Sequence, residues 1–358
     1  MIPNTTKALV VRKSPPGRSP PFHDAVVEEM PIATPRKGQV LVKMGAVSFN
    51  HRDLWIRKGQ YPGIAFGSVF GADGAGTVIS AGIDAEPLLN KRVFLVPMRG
   101  WENNPDAPES RFGILGGGNH PPLGTFAEYV TVDRDQVIPA PEHLDDVHVA
   151  AWPLGGVTAW RAVSINAQIK HGDNVLITGI GGGVALIAMQ ICLAKGANVY
   201  VSSGNDEKIR KAVSLGAKSG VNYKSKNWSA DLGRILKKDR CGLDAVIDSG
   251  GGDVMEQTSK YLNAGGKVVS YGMTANPKIT FTMREVLKNH KLIGSTMGSH
   301  KDLVDATQFV NKHRIVPVVA DVLEGLHNAD RGFEMMGRGD QFGKIVIKIS
   351  HEEQKSKL

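Results

Sequence analysis

The hydrophobic pattern of the chain changes character near residue 150. Before that point, short apolar or alternating runs recur with glycine or proline between them: KALVVRK, AVVEEM, QVLVKMGAVS, AGTVISAG, KRVFLVPM and GTFAEYVTV. Runs of this kind predict β-strands. Only Asn50 to Lys58 and Asp145 to Val149 predict helix. Regularly spaced short strands predict a compact, barrel-like β domain. The stretch PPGRSPP, Pro15 to Pro21, falls between the first two predicted strands. It reads as a hairpin loop in preference to a polyproline ligand for a partner.

After residue 150 the period lengthens. Trp152 to Asn166 fits a helix. Apolar strands then alternate with helical stretches: DNVLITG, helix 183–195, ANVYVSS, helix 206–215, GVNY, helix 228–237, LDAVIDS, helix 253–263, GKVVSYG and KLIGSTM. Such alternation predicts a parallel sheet covered on both faces, a doubly wound α/β (Rossmann) arrangement. Lys301 to His313 predicts one more helix. From Ile315 the chain returns to mixed short elements and ends on the strand GKIVIKI. That tail is expected to rejoin the first domain. The predicted organisation is therefore 1–150 with 314–358 as one discontinuous domain, and 151–313 as the other.

One segment inside the second domain carries chemistry. ITGIGGGVALIAMQICLAKGANVYVSS reads strand, glycine loop, amphipathic helix, strand, within a βαβ unit of about 30 residues. Glycines without Cβ let the backbone approach a pyrophosphate, and a helix N-terminus offers N–H groups and partial positive charge. Gly182, Gly183 and Val184 are the candidate contacts. The preferred six-residue frame runs Ile180, Gly182, Ala185. The alternative, Gly179, Gly181, Val184, ends on a β-branched residue at a tight packing site. The competing reading is a glycine-rich turn with no ligand.

The second strand of the unit ends at Ser202 and Ser203, about 20 residues past the glycines, where an acid would bind the ribose 2′-hydroxyl and select NAD. Here Ser203 and Gly204 stand instead. A 2′-phosphate is not repelled, and Lys208 can supply countercharge. Asp206 and Glu207 fall later, in a helix first turn where acids sit for the dipole. NADP(H) is the expected cofactor.

Composition narrows the class. Hydrophobic residues are 41% and charged residues 22%, ordinary for a globular chain. No apolar run reaches the roughly 18 residues of a membrane span, and no signal-peptide core precedes the first strand. A cytoplasmic location with no membrane association is expected. Two cysteines, Cys192 and Cys241, exclude a disulfide framework and a thiol-rich zinc site. The formal charge of +8 comes from scattered basic residues. With aromatics at 6% and not interleaved with basic side chains, nucleic acid is not an expected partner.

Several segments in order, SFNHRDLWIRKGQYPG (48–63), GADGAGTVISAG (71–82), GTFAEYV (124–130), PLGGVTAW (153–160), the glycine loop, GAKSGVNY (216–223), GGKVVSYG (265–272) and QFGKIVI (341–347), resemble the medium-chain dehydrogenases/reductases over nearly the whole chain. The resemblance implies a GroES-like β-barrel catalytic domain beside the Rossmann domain. Where the zinc-dependent branch has cysteine, histidine and cysteine ligands, this chain has Asn50, Ala72 and, at about the third position, Leu154. None is a thiolate or imidazole. Residues 100–123 hold no cysteine for the four-cysteine structural lobe. The likeness is thus to the zinc-free, quinone oxidoreductase-like branch, and no zinc is expected.

That resemblance implies site residues. Asn50 and Tyr61 match active-site positions. Lys208 and Tyr223 match contacts to the 2′-phosphate, in agreement with the serine argument above. Thr158 matches a threonine near the nicotinamide, Tyr271 and Gly272 a loop over its ribose, and Phe342, Gly343 and Lys344 a C-terminal cofactor contact. His51 matches a position near the pyrophosphate and equally suits the surface. Trp55 suits a pocket wall or the core.

The chemistry expected is hydride transfer from NADPH to a small-molecule acceptor. Without zinc, the charge growing on the acceptor must be met by hydrogen bonds, with Asn50, Arg52 and Tyr61 as candidate donors. A quinone or α,β-unsaturated carbonyl suits such a site, because its product anion is delocalised. Other readings remain: an alcohol dehydrogenase or carbonyl reductase, including one with zinc on His51, Asp53 and Asp73; a non-enzymatic nucleotide- or RNA-binding protein; and a domain of a larger reductase assembly. Arg52 has a plainer reading as a salt bridge to a carboxylate. A homodimer is expected, with KLIGSTM pairing to its twin.

Overall fold

The computed structural model describes residues 2–351. The chain forms two compact units. One comprises Met1–Leu154, Ser299–Val304 and Val319–Leu358; the other comprises Gly155–Gly298 and Asp305–Val318.

The first unit is built on a seven-stranded sheet. Strand Gln39–Ser48 lies at its centre, antiparallel to Asp73–Ala81, to Tyr129–Asp133 and to the C-terminal strand Lys344–Lys348. The tail contains more than short elements. Strand Val319–Glu324, helix Ala329–Arg338 and strand Lys344–Lys348 form a parallel βαβ unit. Strands Thr5–Arg12 and Asp24–Pro31 pair antiparallel, Arg12 facing Asp24, so PPGRSPP is the connection of a hairpin. The core is aromatic at its centre. The Phe49 ring meets those of Phe126 and Phe333 edge-on at 5.0 Å each, and Phe333 meets Phe70 at 5.5 Å. Edge-to-face rings of this spacing set positive edges against negative faces. GTFAEYVTV is strand only from Tyr129, and KRVFLVPM is split into Arg92–Leu95 and Met98–Arg99.

The second unit is a Rossmann sheet. Six parallel strands run in the order Ser219–Asn222, Asn198–Ser203, Asn174–Ile177, Leu243–Asp248, Leu262–Ser270, Lys291–Gly294. The order reverses between the third and fourth strands, the point at which doubly wound folds take a ligand at the strand C-termini. Strand Asn174–Ile177 buries three of its four residues, and helix Gly183–Ala194 is apolar nearly all round because it is covered on most sides. Two helices differ from the pattern-based expectation. The one expected over Trp152–Asn166 is α-helix only over Pro153–Trp160 and then widens to a π-helix, Arg161–Asn166, with Ala167 N–H donating to Ala162 O at 2.9 Å. The one expected over 253–263 is a single turn, Val254–Thr258, because the next strand begins at Leu262.

Candidate functional sites in the two units

In the nucleotide unit, strand Asn174–Ile177 runs into the glycine loop and then into the helix whose N-cap is Gly182. The first-turn N–H groups of such a helix, those of Gly183 and Val184 among them, have no acceptor within the helix. Gly179 and Gly181 are the loop glycines with left-handed backbone, φ +64° and +116°. Gly182 has φ −73°, open to any residue. Ile180 and Ala185 are each 1% exposed, which suits close packing of helix on strand.

The end of strand Asn198–Ser203 gathers the residues expected to choose the cofactor. A Cβ on Gly181 would lie 2.7 Å from Lys208 Cδ, so the lysine stem crosses the loop. A Cβ on Gly204 would lie 2.9 Å from the Tyr223 hydroxyl and 2.8 Å from Lys224 Cε. Ser203 is 4% exposed. Lys208, Tyr223 and Gly204 therefore flank this strand end, and Lys224, which the sequence reading missed, joins them. The neighbouring acids are engaged: Asp206 accepts from Asn222 Nδ2 at 2.9 Å, and Glu207 pairs with Lys211 at 2.8 Å.

A second missed residue is Asp248, 1% exposed at the end of strand Leu243–Asp248. It accepts from Thr178 Oγ1 at 2.7 Å and from the N–H groups of Gly250 and Gly251 at 3.0 and 2.7 Å. An acid followed at once by Ser-Gly-Gly-Gly was the signal available in the sequence. Tyr271 N–H donates to the Asp248 carbonyl at 2.9 Å, and a Cβ on Gly272 would lie 2.6 Å from Ser249 O. Asp248 thus organises the loop that carries Tyr271 and Gly272. Thr158 is buried, its Oγ1 3.8 Å from Met297 Sδ.

In the other unit, helix His51–Arg57 starts at Asn50. Asn50 N–H donates to Asp53 Oδ2 at 2.8 Å, and Asp53 N–H donates back to Asn50 O at 2.9 Å. This reciprocal pair fixes the first turn. The Asn50 side chain lies among charges. Its Nδ2 donates to Asp73 Oδ2 at 2.9 Å, and its Oδ1 accepts from Lys344 Nζ at 2.8 Å. Lys344 Nζ also reaches Asp73 Oδ2 at 3.0 Å, and Leu154 N–H donates to Asp73 Oδ1 at 2.8 Å. Asn50, Lys344 and Asp73 are 7%, 6% and 0% exposed. Gly343, just before Lys344, is left-handed at φ +122°, and Phe342 is half-buried.

The other expected donors have different surroundings. Arg52 donates through Nη1 to Leu115 O at 2.6 Å and through Nη2 to Gly116 O at 2.9 Å. Its guanidinium stacks 4.7 Å from the centre of the Tyr61 ring. Both ends of its fork are thus bonded to one loop. The nearest carboxylate, Asp53 Oδ1, is 3.7 Å from Nη1. Burial lifts the Asp53 carboxyl to about 6 against the opposing charge of Arg52. His51 is exposed, its ring 5.8 Å from that of the half-buried Trp55. Of the residues considered as unusual zinc ligands, Asp53 and Asp73 are buried while His51 is at the surface. Among the described residues, no group of three or more His, Cys, Asp or Glu side chains could hold a metal ion.

Comparison with known proteins agrees with this architecture. Residues 36–142 match the family model of the alcohol dehydrogenase GroES-like domain, and residues 183–312 match that of the zinc-binding dehydrogenases. A Leptosphaeria maculans protein described as zinc-type alcohol dehydrogenase-like protein YogA is 42% identical over 328 residues, 88% of this chain and 92% of that one. A zinc-type alcohol dehydrogenase-like protein of Schizosaccharomyces pombe is 32% identical over 87% of this chain and 91% of its own length. The crystal structure of an NAD-dependent alcohol dehydrogenase superposes with a TM-score of 0.83 at 30% identity, covering 96% of this chain and all of that one.

Proposed function

The chain belongs to the medium-chain dehydrogenase/reductase superfamily, and within it we propose an NADPH-dependent, zinc-independent reductase that delivers hydride to a quinone or an α,β-unsaturated carbonyl. The observation that carries the cofactor choice is the strand end at Ser203. Neither Ser203 nor Gly204 offers a carboxylate to take a ribose hydroxyl, Lys208, Tyr223 and Lys224 flank the strand end, Asp206 is hydrogen-bonded by Asn222, and Glu207 is paired with Lys211. A 2′-phosphate is well met by two lysines and a tyrosine hydroxyl.

A catalytic zinc does not fit the residues present. The three positions that the resemblance assigns to its ligands are Asn50, Ala72 and Leu154, none with a thiolate or imidazole, and Leu154 meets the cluster through an N–H donor. An ammonium, that of Lys344, already donates to both oxygen-bearing side chains. A metal would have to displace it, so no step is routed through one.

When bound, the nicotinamide supplies the hydride. The chain's own residues then have three tasks. The glycine loop and the start of helix Gly183–Ala194 bind the pyrophosphate. The strand end at Ser203 to Gly204, with Lys208 and Tyr223, holds the 2′-phosphate, while Thr158 and the Tyr271–Gly272 loop border the nicotinamide end. In the β unit, Asn50 donates to the acceptor oxygen as it gains charge. In this reading Arg52 shapes the wall by fastening the loop at Leu115 and Gly116, with Tyr61 on its face. A delocalised enolate or hydroquinone anion needs less stabilisation than a simple alkoxide, which is why these acceptors are favoured over plain ketones. The working assembly is a cytoplasmic homodimer, paired through the edge strand Lys291–Gly294.

Calorimetric titration of chelator-treated protein with NADPH and NADH tests the reading, followed by a panel of quinones, enals and enones. Tight NADPH and weak NADH binding, with turnover of at least one acceptor class, is the expected result. Preference for NADH with oxidation of alcohols would favour the second reading, an NAD-dependent alcohol dehydrogenase, which the 30% identical structure supports. Binding of neither nucleotide would end the enzymatic proposal.

A further inference from the structure

The Asn50 amide has one permitted orientation. Its oxygen faces the Lys344 ammonium and its nitrogen faces the Asp73 carboxylate. An ammonium can only donate and an ionised carboxylate can only accept, so a flipped amide would set N–H against N–H and oxygen against oxygen. Asp73 is itself held from the far side by the Leu154 N–H. The Lys344 and Asp73 charges cancel, which lets the pair remain buried. Among the described residues, one of the two Asn50 Nδ2 protons has no acceptor.

We propose that Lys344 is the resident cation of this site and a positioning residue for the reaction: paired with Asp73, it fixes the Asn50 amide so that one polarised N–H is left to donate to the acceptor oxygen. The inference rests on the reductase reading above. It gives this lysine, which that reading uses only to argue against a metal, a task in the reaction other than touching the cofactor. Drawing electron density from the amide oxygen strengthens the N–H as a donor. The electrophile is then an amide backed by an ammonium.

Removing the lysine alone would strand the buried Asp73 charge and risk the fold, so the decisive variant is the double substitution Lys344→Met with Asp73→Asn, set beside Lys344→Arg. Expected for the double variant are a melting curve and NADPH affinity close to wild type and a kcat lower by roughly a hundredfold, the usual loss for one oxyanion donor. Lys344→Arg is expected to keep at least a tenth of wild-type kcat. A double variant that turns over within threefold of wild type overturns the inference while leaving the reductase reading intact. So does a loss of kcat matched by an equal loss of NADPH affinity, which marks a merely structural role. A zinc count separates the two proposals. After incubation with zinc and gel filtration, the wild type is expected to retain none. One retained equivalent that disappears in Asp73→Asn overturns the resident cation. If the wild type reduces no acceptor, the reductase reading falls, and the zinc count alone decides for or against Lys344 as the cation here.

Discussion

The Tyr223 hydroxyl stands 2.9 Å from the point that a Cβ on Gly204 would occupy. Any side chain at 204 must push against that hydroxyl and against Lys224. Gly204→Asp would also place a carboxylate where a 2′-phosphate is proposed to bind. NADPH affinity is expected to fall at least about tenfold, or 1.4 kcal/mol, with NADH affinity unchanged or improved. Isothermal titration of both nucleotides reads this directly, and an equal loss for both would place the phosphate elsewhere.

Lys208 gives a complementary test by subtraction. Its stem crosses Gly181 and its charge is proposed to meet the same phosphate. Lys208→Ala should weaken NADPH binding roughly tenfold, in the range of one charge-assisted hydrogen bond, and leave NADH within twofold. Raising the salt concentration should narrow the gap between variant and wild type, because exposed charge pairs are screened.

Arg52 holds Leu115 and Gly116 by two hydrogen bonds from a nearly buried guanidinium. Arg52→Met leaves two carbonyls without donors and Asp53 without its counter-charge. A loss of about 2–4 kcal/mol is expected, seen as a lower denaturation midpoint, while nucleotide affinity stays unchanged. Arg52→Lys should recover only part, since a lysine cannot span both carbonyls with a planar fork. A variant as stable as wild type but without turnover would return Arg52 to the chemistry.

Asp53 predicts a pH dependence. Burial lifts its carboxyl to about 6, above the roughly 3.9 of an unfolded chain. The folded state therefore holds a proton that the unfolded chain has released between those values. Below about 4 both states are protonated and nothing is lost. As pH rises through 6 the folded state bears a buried charge, at a cost on the order of 2–3 kcal/mol. Asp53→Asn keeps an acceptor for the Asn50 N–H and lacks this term. Its stability relative to wild type should rise between pH 4 and pH 6 and stay flat above. A difference that does not change with pH would show that Asp53 does not titrate in this range.

Glu109 helps to order the loop after Arg99. Its carboxylate accepts the backbone N–H groups of Glu102 and Asn103 at 2.7 Å and of Asn104 at 2.5 Å. These bonds hold its pKa down to about 2. Glu109→Ala should open residues 100–112 to limited proteolysis without lowering the global melting temperature. In wild type the same sensitivity should appear only as pH falls toward 2, since a depressed carboxylate gives its support above the ordinary glutamate value and loses it on protonation. Unchanged cleavage in Glu109→Ala would show that the loop is held by other means.

Local order was written in the sequence. The switch from short alternating strands to apolar strands between helices fixed the two fold types, because burial on one face or both imposes a period of its own. The glycine loop was legible for the same reason, as strand, turn and helix are neighbours in the chain. The absence of an acid at Ser203 and Gly204 needed no structure either. Partners of polar side chains were another matter. Asp73 and Lys344 lie 271 residues apart and meet because strand Lys344–Lys348 pairs with Gln39–Ser48, Val346 opposite Ser48. No local pattern encodes that register, so neither the Lys344–Asp73 pair nor the bonds from Arg52 to Leu115 and Gly116 were legible in the sequence. Asp248, Lys224 and Glu109 escaped notice because a carboxylate or ammonium gains its role only when a distant or looping backbone brings it donors or company. The sequence determined most of the strands and helices and the place of the glycine turn. Only the tertiary structure decided which charges are already spent on one another, since a hydrogen bond reaches about 3 Å and chain separation says nothing about distance at that scale.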